Sequence, residues 1–196
     1  MQDATRQIRR MQTFTAVWMM FEAGLSLWAA WSARSPALAA FGGDSAIEFL
    51  SAVVVLWRFR SHASESAERT AARIAGGLLF GLAVLVVLVS VLSLRGYAEA
   101  KPSLPGIAVL AAAALVMPVL AAKKRRLSAL TGSAALRADG AESALCAYFS
   151  VISLIGVAVN TFWHVAWADP AAALAVTPLI VTEGRAALRG RPCGCH

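Results

Sequence analysis

The chain has 196 residues, the length of one domain, but 59% of them are hydrophobic, only 15% are charged and the mean hydropathy is +0.66. That balance excludes a soluble globular protein and predicts an all-α integral membrane protein in a lipid bilayer. The net charge of +7 sits in short clusters between apolar runs, without the aromatic interleaving of a strand-binding surface, so no nucleic-acid partner is expected and the charge reads as topology signal.

Arg6, Arg9 and Arg10 precede an apolar run over residues 13–33 that looks like a signal sequence, and Pro36-Ala37-Leu38-Ala39 looks like a cleavage site. The run is longer than an h-region of about 7–15 residues and carries Glu22, so it is expected to be retained as the first helix. A turn with Arg34, Ser35 and Pro36 leads to a second helix over 37–60, FGGDSAIEFLSAVVVLWRFR in its main part. Residues 61–73 are polar and predict a short solvated helix or loop, with His62 a loop histidine. The third helix, 74–94, is the most uniformly apolar, and Gly76, Gly77 and Gly81 give it a small-residue stripe of the kind that lets helices approach closely.

A fourth helix is expected over 106–122, with Pro118 as a kink near its end, followed by the basic run Lys123 to Arg126. The fifth takes up 134–160. A short aromatic connection with Trp163, His164, Trp167 and Asp169 leads to the sixth, 170–188, and the two tryptophans fit an interfacial belt. Residues 191–196 form a short tail. Six spans place both termini on one side, and every lysine and arginine of the 18 except Arg34, Arg95 and Lys101 then falls on that side. Positive charge marks the cytoplasm, so both termini are expected there, with the chain in the inner (plasma) membrane of a bacterium.

Asp44 and Glu48 are the organising feature. A carboxylate at membrane depth costs roughly 2.5–3.5 kcal/mol unless it is protonated, paired or neutralised by a cation. Spaced i, i+4, the two lie on one helical face, where they could otherwise be a helix cap and a first-turn acid. Glu142 and Cys146 repeat the spacing on the fifth helix, with a salt bridge to Arg137 and a core cysteine as the alternative reading. Together the four are the ligand count of a tetrahedral metal site. Glu22 is either a proton relay or a polar partner across the bundle, and Asp139 is a supporting acid or an interfacial cap. Cys193, Cys195 and His196 form a weak metal-capable cluster in the tail.

Asp44-Ser45-Ala46-Ile47-Glu48, Ala138-Asp139 with Glu142 and Cys146, and Trp167-Ala168-Asp169-Pro170 make the chain resemble the transmembrane domain of the cation diffusion facilitator family. The resemblance covers essentially the whole chain. It implies a six-helix bundle, a homodimer, and export of a divalent metal, zinc first and cadmium or cobalt next, by proton antiport and alternating access. Asp44, Glu48, Glu142 and Cys146 would be the ligands, the metal is cargo rather than resident cofactor, and no enzymatic activity is implied. Glu48 and Cys146 stand where family members usually have Asp, and the connection after the fourth helix is basic rather than His-rich. The chain ends soon after the sixth helix, like a short branch without the family's cytoplasmic domain, which keeps open the alternative of a non-transporting metal-binding or scaffold subunit.

Overall fold

A computed structural model describes residues 2–61, 65–131 and 134–189. Its regular elements are six helices: α1 (Gln2–Ala33), α2 (Pro36–Ser61), α3 (Glu65–Leu94), α4 (Leu104–Thr131), α5 (Ala134–Trp163) and α6 (Ala168–Leu188). Helices are the form in which an apolar chain satisfies its own backbone without water, so each long hydrophobic run becomes one. Four of the six contain segments long and apolar enough to cross a membrane: Gly76–Leu94, Leu104–Leu130, Gly140–Trp163 and Ala168–Leu188. The protein is an all-α membrane protein.

Several helices outrun their apolar segments. Residues 65–73, expected as a loop or separate short helix, are the first turns of α3, and the basic run after residue 122 continues α4 to Thr131. Ala, Glu, Lys and Arg are good helix formers, so the helix persists where its apolar segment stops. Pro118 is accommodated inside α4, which does not break there.

Two helix ends are closed by backbone geometry. Arg34 adopts a left-handed conformation (φ 52°), and the Ser35 amide donates back to the Ala30 carbonyl at 3.1 Å. Gly96 (φ 82°) does the same after α3, with the Tyr97 amide donating to Leu92 at 3.1 Å. Both are Schellman closures, which satisfy carbonyls that the helix leaves bare. The α3–α4 connection is fastened to its neighbours: the Lys101 amide donates to the Ala33 carbonyl at 2.7 Å, and Asn160 Nδ2 donates to the Ala100 carbonyl at 3.0 Å.

The helices associate as three close pairs, α1 with α2, α3 with α6 and α4 with α5. α2 is the hub, packing also on α3, α5 and α6. Gly76 and Gly184 let α3 and α6 meet backbone to backbone; a Cβ on Gly76 would stand 2.9 Å from the Gly184 carbonyl oxygen. Gly77 and Gly81, the other members of the stripe, face open space. Polarity runs inside out. Ser26, Ser45, Ser90, Ser143, Ser150 and Ser153 are fully buried, whereas Phe21, Trp28, Val84, Leu88, Leu115 and Ile155 are exposed on the outside. Small hydroxyls inside and large apolar side chains outside suit a bundle solvated by lipid.

Candidate metal centre

The start of α2 is held by two caps. Ser35 Oγ accepts from the Leu38 amide at 3.1 Å, and Pro36 occupies the first helical position, where no amide is needed. The Asp169 carboxylate, reaching over from the first turn of α6, accepts from the Ala37 amide at 3.0 Å and from Ser35 Oγ at 2.5 Å. Because α2 begins there, Asp44 and Glu48 are interior helical residues, and the reading of Asp44 as a cap is excluded.

Asp44 is 1% exposed and Cys146 0%. Asp44, Glu48 and Cys146 each offer a donor atom, and these atoms all lie within 4.8 Å of one another. Donors around a tetrahedral metal with bonds of about 2.0–2.3 Å stand roughly 3–4 Å apart, so a small contraction would bring these three onto one cation. Neither oxygen of Asp44 has a hydrogen-bond partner, nor does Oε2 of Glu48. An unsatisfied buried acceptor costs about 1–3 kcal/mol, more when charged, and a divalent cation is one remedy for all three at once.

Glu22 adjoins this group from α1 and is itself fully buried. Its Oε1 accepts from Ser45 Oγ at 2.8 Å and faces Cys146 Sγ at 3.8 Å, while its Oε2 accepts from Trp18 Nε1 at 2.6 Å. Of the two readings of Glu22, the polar partner across the bundle is the one these contacts satisfy. Three donors converge on it, which makes it an acceptor that holds the Cys146 thiol rather than an unpaired acid.

Glu142 is half-buried on α5, close enough for its charge to act on Asp44, but it does not belong to the group within 4.8 Å. An acid absent from the sequence-derived candidates does approach the centre. Glu183 of α6, 9% exposed, lies in carboxyl-to-carboxyl contact with Asp44, and its Oε1 has no donor. Two ionised carboxylates are both acceptors, so the contact needs a cation or a proton between them. The signal for Glu183 was an acid inside an apolar helix, in the same way as Glu22 on α1. Lys124, in the basic run expected after the fourth helix, is completely buried and donates from Nζ to Ser143 Oγ at 2.9 Å.

His164 is exposed just beyond the end of α5. His62, the side chain of Asp139, and Cys193, Cys195 and His196 lie outside the described residues. No protein-family model and no curated protein matches the chain.

Proposed function

We propose that this protein is a divalent-metal exporter of the cation diffusion facilitator type, with six spans and both termini cytoplasmic, which moves zinc outward in exchange for protons. The observation that carries the reading is the convergence of Asp44 and Glu48 from α2 with Cys146 from α5, donor atoms within 4.8 Å in a bundle interior. Three of the four residues singled out by their i, i+4 spacing, about a hundred positions apart in sequence, supply these donor atoms, which supports the reading. Two carboxylates and a thiol bind a metal in their deprotonated forms, so protons arriving from the far side compete the cargo off. The thiol softens the donor set toward zinc, cadmium and cobalt and away from magnesium and calcium.

α2 touches α1, α3, α5 and α6, so a rigid-body tilt of α2 and its partners against the α3–α6 pair would open the site to one side and then the other. The protein works as a homodimer in this reading, with the open faces of Gly77 and Gly81 on α3 as the surface offered to a second copy. The test is flux in sealed vesicles containing the purified protein. Zinc entering against a proton flow of opposite direction, abolished by Asp44→Ala, is the expected result. Tight zinc binding with no flux would replace the exporter by the non-transporting metal-binding subunit.

A further inference from the structure

We propose that the sixth helix supplies the fourth metal donor, through Glu183, so that the cation is held by α2, α5 and α6 together. The inference rests on the metal-site reading above and goes beyond it in naming a ligand that neither helix pair of the sequence pattern contains.

Three independent observations lead to Glu183. It is nine-tenths buried at a point where α6 carries no need for an acid, and its Oε1 is orphaned. Its carboxyl lies against that of Asp44, which is buried and has both oxygens unpartnered. Its backbone is held close to α3 at Gly184, the next residue, whose carbonyl oxygen lies 2.9 Å from the position a Gly76 Cβ would take, so a side chain at residue 76 would push α6 away from α3. Glu183 and Glu142 both lie outside the three donors that stand within 4.8 Å of one another, but Glu183 is nine-tenths buried and Glu142 only half-buried.

The donor set then becomes Asp44, Glu48, Cys146 and Glu183. Its composition matches the expected one, three carboxylates and a thiol, but its geometry differs. A ligand on α6 ties the cation to the α3–α6 pair, so metal occupancy stiffens the contact between that pair and α2, and release toward either side requires this bond to break. Transport by rocking against α3 and α6 is thereby coupled to the cargo itself.

The test uses the full chain purified in detergent, with Cys193→Ser and Cys195→Ser as background so that Cys146 is the only thiol, and cadmium chloride as the probe. Cadmium bound to a thiolate gives an ultraviolet charge-transfer band whose intensity reports the number of thiolate ligands. The background protein is expected to show one thiolate's band, lost in Cys146→Ser. Adding Glu183→Cys should roughly double it, a second soft ligand having joined the first, while adding Glu142→Cys should leave it unchanged. Should Glu183→Cys not yield monodisperse protein, Glu183→Gln is read by zinc competition, with an affinity loss of about tenfold or more expected. A single-thiolate band in Glu183→Cys, a doubled band in Glu142→Cys, or an unchanged zinc affinity in Glu183→Gln overturns the assignment of Glu183 and leaves the site standing. No band in the background protein overturns the site itself, and Glu183 with it.

Discussion

Cys146 Sγ and Glu22 Oε1 stand 3.8 Å apart, joining the fifth helix to the first at the point where the second helix presents its two acids. The contact has a partner on each side, because the same carboxylate also receives Ser45 and Trp18. Glu22→Gln places a side-chain amide where one of these donors now points. Leaving a buried donor without its acceptor costs about 1–3 kcal/mol, so Glu22→Gln should lower the thermal unfolding temperature in detergent measurably. In a double-mutant cycle Trp18→Phe should cost less in the Glu22→Gln background than in the native one. Strictly additive effects would show that the Trp18 contact carries no energy.

Asp169 closes the amino end of α2 from another helix, and its removal uncovers both the Ala37 amide and the Ser35 hydroxyl. Asp169→Ala is expected to destabilise the bundle by about 1–3 kcal/mol, and Asp169→Asn by less, since an amide oxygen can still accept from Ala37. Thermal scans of both variants check the order. An alanine variant as stable as the native protein would mean that water replaces the cap at the membrane surface.

In the proposed metal site the thiol of Cys146 would set the softness of the donor set. Cys146→Asp keeps the charge needed for a divalent cation and is expected to retain zinc transport while losing preference for cadmium; Asp44→Ala is expected to abolish both. Vesicle uptake of the two metals, measured side by side, supplies the ratio. If Cys146→Ala leaves both the affinity and the zinc to cadmium ratio unchanged, Cys146 is a packing residue and the metal site is refuted.

Glycines on the same chain should divide sharply by what faces them. A Cβ at Gly156 would overlap the Ala172 Cβ, whereas Gly77 and Gly81 meet nothing within 4 Å. Gly156→Ala should therefore destabilise the monomer by roughly 1–3 kcal/mol, the usual scale of overpacking, with Gly77→Ala and Gly81→Ala near neutral. If α3 forms the proposed dimer contact, bulky Gly77→Leu and Gly81→Leu should instead weaken chemical cross-linking between copies while leaving monomer stability unchanged. Dimers that survive both substitutions would move the interface away from α3.

Exposed positions at the two ends of the bundle test the topology. On a cysteine-free background, single cysteines at Arg126 and Arg189 should react only with reagents that reach the cytoplasm, and those at Tyr97 and His164 with reagents confined to the outside. Labelling of both pairs from outside would contradict the orientation that the charge bias predicts.

Much of this molecule is local and was therefore legible in one dimension. Apolar runs located the helices, four of which are long and apolar enough to cross a membrane, because a segment in lipid must bond its own backbone whatever its neighbours do. The i, i+4 spacing put Asp44 and Glu48 on one face for the same reason, helix geometry being independent of tertiary partners. Even Cys146 could be found, since its turn repeats that spacing. Helix ends were less accessible: hydropathy marks where a span meets water, whereas propensity carries α3 and α4 beyond it. What folding alone decided were the meetings between helices. Glu183 became a neighbour of Asp44, Asp169 a cap for a helix it does not belong to, and Lys124 a buried donor to Ser143, each through the angle and offset at which two helices cross. Those offsets depend on close approaches such as Gly76 against Gly184, where the absence of two side chains lets α3 and α6 meet backbone to backbone. A pattern within one helix cannot encode which residue of another it will face, so the composition of the centre beyond its first three donors belongs to the tertiary structure.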